Sequence, residues 1–228
     1  MSHIRQTFEQ QLNELHDGLF RIGTMVENAL NLAIQCIKHY DPELSRRVID
    51  DDQLINKEVQ RLHENAVLLI ARQQPMARDL RLISVVLSLL PELERMGDYA
   101  ATICKVQRRI RNTENFISIG HLPQPIPRII NDIARHTSGI LHAGLEALRT
   151  DDRTFAERVV DLDDQIDHLY RELFDVTVAA TRSHPQLAAS IIHLLTIAHN
   201  FERIGDRVTN VAEQIEYLFT GKLVEINH

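Results

Sequence analysis

Apolar residues recur along much of the chain at alternating spacings of four and three residues, the pattern of a helix with one continuous buried edge. Three segments show it most clearly, at residues 8–36, 82–103 and 194–218. Each of them is longer than an ordinary helix of a globular protein. The pattern therefore predicts three long helices that each contribute a continuous edge to a bundle core.

Breaks rich in proline, aspartate or glycine divide the chain between and beyond these segments. They occur at Asp41-Pro42, at Pro75, at residues 120–127 with three prolines, at residues 150–152 and at His184-Pro185. Proline cannot continue a helix, so each break predicts a helix end or start. The predicted helices span residues 4–39, 42–73, 76–112, 126–149, 152–182 and 186–220.

The two halves of the chain resemble each other. Residues 47–52 (RVIDDD) match residues 158–163 (RVVDLD) 111 positions later, and residues 93–98 (LERMGD) match residues 201–206 (FERIGD) 108 positions later. Such internal similarity indicates a duplicated structural unit. We expect an all-α fold, a tandem repeat of two three-helix bundles with six long antiparallel helices, divided into residues 1–119 and 120–228.

Composition narrows the classes of function. The chain has 228 residues, with 25 Lys and Arg against 32 Asp and Glu, for a formal net charge of −7. This acidic balance argues against nucleic acid as a partner. No secretory signal or membrane span is visible, so we expect a cytoplasmic protein. Cys36 and Cys104 form no C-x-x-C motif and are expected to be core residues.

Acidic residues in the third and sixth predicted helices point to a cation site. Glu94 and Asp98 lie four residues apart and share one helix face, with Gly97 beside them. The second half repeats these residues as Glu202, Gly205 and Asp206. The carboxylates repel, and each glycine costs a helix about 1 kcal/mol relative to alanine. A cation held by carboxylate oxygens would compensate, and glycine would let it or another helix approach closely.

Two further pairs extend each acidic face. Asp52 and Asn56 on the second helix correspond to Asp163 and Asp167 on the fifth. The candidate metal ligands are Asp52, Asn56, Glu94 and Asp98 in the first half and Asp163, Asp167, Glu202 and Asp206 in the second. Oxygen ligands without cysteine favour Mg, Ca, Mn or iron over zinc.

An alternative explanation of the same blocks needs no metal. Arg95 and Arg203 lie between the acidic residues, so each block could be a solvated salt-bridge network. In that case the glycines would serve helix packing alone.

The start of the third helix carries a candidate partner surface. Arg78 and Arg81 follow Pro75 closely, although two arginines in a first helical turn oppose the helix dipole. We expect them to face a partner protein or a phosphorylated surface. The sequence has no P-loop, G-x-S-x-G or G-x-G-x-x-G motif, so we do not expect an enzyme.

Together these features resemble the PhoU family of phosphate-transport regulators over about residues 4–220. The resemblance rests on the tandem duplication, on LERMGD and FERIGD, on QPMARDLR at residues 74–81 and on VIDDDQLIN at residues 48–56. It implies a cytoplasmic, often dimeric six-helix protein that represses the phosphate-starvation response. Such proteins are thought to link the ATPase subunit of the phosphate ABC transporter to a sensor histidine kinase, and to reach the membrane only through these partners.

The resemblance also implies multinuclear iron or zinc, bound through E/D-x-x-x-D pairs from two helices of each repeat. The eight candidate ligands fall on those pairs. Asn56 departs from the pattern because an amide carries no negative charge, so the first site should bind a cation less tightly than the second, or bind none.

Two other functions remain open on sequence grounds. The chain could be a metal store or purely structural bundle, or an enzyme comparable to di-iron carboxylate proteins. The di-iron class uses Glu-x-x-His pairs, which are missing from the predicted helices.

Overall fold

The structure is a computed structural model that describes residues 3–111 and 117–226. The described residues form six long helices and two 3-10 turns, with no strand, and this confirms the all-α prediction. The helices are α1 (His3–Lys38), α2 (Pro42–Gln73), α3 (Ala77–Arg111), α4 (Ile126–Thr150), α5 (Phe155–Ser183) and α6 (Ala188–Thr220).

The helices pack as two three-helix bundles in tandem. Helices α1, α2 and α3 contact one another, as do α4, α5 and α6, and the bundles meet mainly through α3 against α6, with α1 beside α4. The predicted repeat architecture is therefore confirmed. The division at residues 119 and 120 stays a prediction. It falls within the 3-10 turn Ile119–His121, and residues 1–2, 112–116 and 227–228 of the predicted repeats lie outside the described residues.

The predicted helix edges form the core. Leu93, Met96, Phe201 and Ile204, the apolar members of the two repeated blocks, are fully buried. Burial of each such side chain contributes about 1.5–3 kcal/mol relative to exposure. The apolar residues of each block thus anchor it in the core, and the acidic residues lie half-buried beside that edge.

Local hydrogen bonds set several helix ends. Asp41 caps α2, since its carboxylate accepts from the backbone amides of Glu43 at 2.9 Å and Leu44 at 3.2 Å. Such a cap stabilises a helix by about 1 kcal/mol. Pro42 occupies the first helical position, where the backbone N–H that proline lacks would have no partner within the helix. The predicted break at Asp41-Pro42 is therefore a helix start with a specific cap.

Two predicted helix starts differ from the structure by more than one residue. The fifth helix begins at Phe155 rather than at residue 152, because Asp152 accepts hydrogen bonds from the amide and hydroxyl of Thr154 and holds a turn there. Local bonds of this kind compete with helix formation. The sixth helix begins at Ala188, after a 3-10 turn at Pro185–Leu187. The predicted end of the third helix at residue 112 lies outside the described residues.

The helices are amphipathic rather than apolar throughout. Within the described part of the chain, none combines the length and the uninterrupted apolar character that crossing a bilayer requires.

Candidate functional site

Three carboxylates converge between α5 and α6. Asp167 lies on α5, and Glu202 and Asp206 lie one turn apart on α6. One ligand oxygen from each residue lies within 4.8 Å of the others, and all three residues are half-buried. The packing of α5 against α6 therefore produces a cluster of oxygen atoms of the kind that hard divalent cations prefer.

Burial and mutual repulsion raise the pKa values of two carboxyl groups in this cluster. Burial, followed by the charges of Asp206 and Asp167, raises the pKa of Glu202 to about 7. Burial and then Asp167 also raise the pKa of Asp206. Both shifts mean that the assembled site disfavours full ionisation without a counter-charge. A cation placed among these oxygens would relieve that repulsion.

A histidine that the sequence analysis did not single out adjoins this cluster. His199 Nδ1 lies 2.9 Å from Glu202 Oε2, and the rings of His199 and Tyr170 lie 6.0 Å apart. Burial and the charge of Glu202 raise the pKa of Tyr170. The spacing of three residues between His199 and Glu202 places them on one helix face, which is the signal that could have revealed the contact.

The fourth predicted residue of this half, Asp163, occupies a different place. It is buried against Gly205, where an added Cβ would lie only 2.6 Å from Asp163 Oδ1. Asp163 does not belong to the group of three converging carboxylates. Gly205 is therefore required by the close approach of a carboxylate from α5.

The first repeat has a related but weaker arrangement. Asp52 is buried beside Gly97, whose added Cβ would lie 3.5 Å from Asp52 Oδ1. Burial, then the charge of Asp98, raises the pKa of Asp52 to about 6, and Glu94 adds to the effect. In this repeat the described residues contain no group of three acids as close as the one between α5 and α6.

Two oxygen atoms of the first repeat have unmet hydrogen-bonding capacity. Asp52 Oδ1 and Asn56 Oδ1 are buried without a hydrogen-bond partner among the described residues. Buried acceptors of this kind normally have a partner, which here could be a water or a cation. The predicted first site thus has suitable oxygens, but Asn56 supplies an amide where its counterpart Asp167 supplies a carboxylate.

The two block arginines have different contacts, one within its own helix and one with the opposite repeat. Arg95 pairs with Glu92 at 3.2 Å, and Glu92 also accepts from Arg207 at 3.3 Å on α6. Arg203 lies over the ring of Tyr99 on α3, 4.6 Å from its centroid. Among the described ion pairs, neither block arginine pairs with an acid of its own block. The contacts therefore do not support the alternative of a salt-bridge network within each block.

The two arginines predicted to face a partner have different surroundings. Arg78 is exposed, whereas Arg81 is half-buried with its Nη1 atom 3.5 Å from the carbonyl oxygen of Phe219 near the end of α6. Arg81 therefore connects the start of α3 with the end of α6. A role of either residue in partner binding stays a prediction.

The model of the PhoU domain family matches the chain twice, over residues 19–106 and 130–215. The chain belongs to the PhoU family. Each PhoU domain match covers most of one three-helix bundle, so the duplication seen in the sequence is a duplication of this domain.

Several PhoU proteins are similar over nearly the whole chain. The phosphate-specific transport system accessory protein PhoU homolog of Clostridium acetobutylicum is 30% identical over 224 residues, covering 98% of this chain and 99% of that protein. The accessory protein PhoU of Escherichia coli K12 is 34% identical, covering 96% and 88%. The crystal structure of PhoU from Pseudomonas aeruginosa has a TM-score of 0.86 at 26% identity, covering 94% and 100%.

A second solved structure supports the fold alone. The phosphate transport system regulatory protein PhoU from Streptococcus pneumoniae has a TM-score of 0.84 at 24% identity, covering 95% of this chain and 99% of that one. The PhoU fold is thus retained where few residues are identical, because the spacing of apolar residues can be kept while their identities change.

Proposed function

We propose that this protein is a negative regulator of the phosphate-starvation response and a modulator of phosphate uptake. It acts as an adaptor between the ATPase subunit of the phosphate ABC transporter and the phosphate sensor histidine kinase. Similarity over nearly the whole chain to proteins named as phosphate-specific transport system accessory proteins carries the proposal. An adaptor needs stable surfaces rather than a reaction centre, and long rigid helices provide them.

Deletion of the gene tests the regulatory role. Without the adaptor the kinase should activate its response regulator even when phosphate is plentiful, so phosphate-responsive genes should be expressed in phosphate-rich medium. The wild-type gene supplied on a plasmid should restore repression. A deletion strain in which these genes stay silent at high phosphate would contradict the proposal.

We further propose that the protein acts in the cytoplasm as a homodimer and associates with the membrane only through its partners, without binding nucleic acid. Pull-down from solubilised membranes at high and low phosphate should recover the transporter ATPase subunit and the kinase in a phosphate-dependent manner. Light scattering of the purified chain should give twice the mass of 26.2 kDa. A monomer that recovers neither protein would contradict this part.

A bound metal is proposed at the acidic face of the second repeat. Asp167, Glu202 and Asp206 would hold it, with Asp163 beside them, and the raised pKa values of the two α6 acids support this assignment. The ligand type favours Mg, Mn or Ca, and the family resemblance favours iron or zinc. The ion would supply the counter-charge that holds α5 and α6 together.

A weaker site is proposed in the first repeat. It comprises Asp52, Asn56, Glu94 and Asp98. The buried oxygens of Asp52 and Asn56 fit a cation, but the set contains one negative charge fewer than its counterpart. Affinity for Ca²⁺ and similar ions depends on the number of charged ligands, so the first site should lose its ion first during dialysis against a chelator.

The converging carboxylates also favour a second candidate function, a metal store or a di-iron-like enzyme. The structure gives this candidate less support, because His199 contacts Glu202 rather than completing a Glu-x-x-His pair. Oxidation of ferrous iron by the purified protein, lost in Glu202→Gln, would favour the enzyme. High metal content with no effect of gene deletion on phosphate-responsive genes would favour the store.

A further inference from the structure

A cleft of about 430 Å³, which we call the α1–α2 cleft, lies between the first two helices. Its floor is apolar, since Leu15, Leu62 and Leu69 line it and are buried. Leu62 also packs against Gly18, where an added Cβ would lie 2.6 Å from the Leu62 Cδ1 atom. The floor is thus closely packed, and the volume beside it falls in the range of small-molecule sites, about 300–1,000 Å³.

Three arginines line the same cleft. Arg21 lies on α1, and Arg61 and Arg72 lie on α2. The hydrogen bond from Arg61 and, to a lesser extent, the charge of Arg21 lower the pKa of Glu58, so both arginines lie close to this carboxylate. Only Arg61 forms an ion pair with it, at 2.8 Å, and neither Arg21 nor Arg72 is part of any ion pair among the described residues. Guanidinium groups with free donors on two facing helices are suited to bind phosphate oxygens.

The corresponding contact of the second repeat is held by ion pairs. Arg128 on α4 pairs with Asp132 at 3.3 Å and with Glu172 on α5 at 3.1 Å. At the offset of 111 residues, the first repeat has the opposite charge at all three positions, which are Asp17, Arg21 and Arg61.

The three opposite charges of the first repeat do not form the same pairs. Asp17 lies 3.9 Å from Nδ1 of His16 on its own helix, and the ion pairs of the described residues do not join it to Arg21 or Arg61. The second repeat folds with acids in place of these two arginines, so the packing of a three-helix unit does not require them. They remain available to a ligand.

The α1–α2 cleft also has acceptor groups. Gln11 lines it, and its Oε1 atom is buried without a hydrogen-bond partner among the described residues. Buried acceptors normally have a partner, which an amino group of a ligand would supply. Glu14 and Asp17 line the cleft as well, and carboxylates accept hydrogen bonds from hydroxyl groups such as those of a sugar.

Together the lining groups match the parts of a nucleotide. The arginines fit its phosphate, the carboxylates its ribose hydroxyl groups, and the leucine floor the flat face of its base. Inorganic phosphate alone would leave the floor and Gln11 unused, and the two carboxylates would repel it. A lipid chain would lie among five charged side chains, which burial beside hydrocarbon penalises.

We propose that the α1–α2 cleft binds a nucleotide whose base carries an exocyclic amino group, with Arg21 and Arg72 at the phosphate and Gln11 at the base. The proposal does not depend on the adaptor function and adds a small-molecule ligand to it. Because the nucleotide would contact both α1 and α2 in the folded state only, it should also raise the thermal midpoint of the protein.

Titration calorimetry of the full-length chain with adenosine monophosphate (AMP) tests the proposal. AMP should bind with a Kd below about 1 mM. Adenosine, which lacks the phosphate, and inorganic phosphate, which lacks the nucleoside, should each bind at least tenfold more weakly. Inosine monophosphate has a carbonyl group in place of the amino group and should bind at least fivefold more weakly than AMP. Gln11→Ala should reduce this preference for AMP.

Arg21→Gln combined with Arg72→Gln should weaken AMP binding tenfold or more. The matched control is Arg46→Gln combined with Arg47→Gln, which removes the same charge near the other end of α2. Arg47 lies about 37 Å along this helix from Arg72 at a rise of about 1.5 Å per residue. The control should leave the affinity within twofold. All four arginines are exposed, so we expect both variants to fold, and thermal unfolding verifies this.

Photolabelling with an azido derivative of AMP should modify residues of α1 or α2, and labelling confined to other helices would overturn the assignment of the cleft. So would equal AMP affinities of the two double variants. Absence of AMP binding at about 1 mM overturns the proposal as a whole. Equal affinities for AMP and inorganic phosphate overturn the nucleotide and leave an oxyanion site. None of these results touches the adaptor function, which gene deletion and partner recovery test separately.

Discussion

The two repeated glycines allow a sharp test of how the acidic faces are built. Gly97→Ala and Gly205→Ala make the same chemical change at equivalent positions of α3 and α6. Replacing a helix-interior glycine by alanine stabilises a helix by about 1 kcal/mol when space permits. The two substitutions therefore give the same intrinsic gain in helix stability, and any difference between them arises from the atoms that the new methyl group contacts.

The space at the two positions is unequal. At Gly97 the added Cβ would lie 3.1 Å from Ile55 Cδ1, the tip of a flexible side chain, and 3.5 Å from Asp52 Oδ1. At Gly205 it would lie 2.6 Å from Asp163 Oδ1, so the buried carboxylate must move. Forcing a group into a packed interior costs about 1–3 kcal/mol.

We therefore expect Gly97→Ala to be neutral or up to about 1 kcal/mol more stable, and Gly205→Ala to be up to about 2 kcal/mol less stable. Urea or thermal unfolding would measure this difference. A change of about 1 kcal/mol in the free energy of unfolding shifts the thermal midpoint of a protein of this size by about 2–4 °C. Elemental analysis of the two variants gives a second readout, because displacement of Asp163 should reduce metal content only in Gly205→Ala. Equal stability changes, or a more stable Gly205→Ala, would refute the role assigned to Asp163.

Three further predictions address the acidic site and the contact between repeats. Glu202→Gln combined with Asp206→Asn should lose most of the bound metal measured after native purification, and metal content equal to wild type would defeat the assignment. The pKa of Glu202 is raised in the folded state, so protonation of this carboxyl group stabilises the fold. This stabilisation is complete below pH 4.5 and is lost as the pH rises through about 7. The metal-free protein should thus unfold more easily at pH 8 than at pH 5, and the midpoints of Glu202→Gln should depend less on pH. Glu92→Ala should destabilise the fold by about 2 kcal/mol, because it leaves Arg207 without its ion-pair partner. The control Glu43→Ala, which removes a surface ion pair, should cost under about 1 kcal/mol. Similar decreases in the denaturation midpoints of the two variants would contradict this prediction.

The contact between repeats bears on how the proposed adaptor would transmit a signal. Glu92 is 13% exposed in its side chain and accepts from Arg95 on its own helix, and from Arg207 and Asn210 on α6. These residues adjoin the two acidic blocks in sequence. Binding or loss of the proposed metal at one block would therefore act on a helix that is directly bonded to the other repeat.

Much of the fold could be predicted from the sequence because long helices leave a regular signal. The alternation of four and three residues located the buried edges of α1, α3 and α6, and prolines located most helix ends. The start of α5 was missed because the side chain of Asp152 binds Thr154, a local bond that no periodicity reveals.

The candidate site was predictable in part. Spacing placed Glu202 and Asp206 on one face, and the repeat suggested that Asp167 would meet them. The contact of His199 with Glu202 was not foreseen, and neither was the exclusion of Asp163 from the converging group. Both depend on rotamers and on the distance between packed helices, which spacing along one helix does not specify.

The sequence by itself determined the duplicated three-helix units, the buried edges and the faces on which the acidic residues lie, since these follow from periodicity within single helices. Only the tertiary structure decided that Arg203 reaches Tyr99 of the other repeat, that Gly205 accommodates a carboxylate of α5, and that Arg81 near the start of α3 meets the end of α6. These contacts join residues far apart in the chain. Their geometry is set by how whole helices pack, so no local pattern records it.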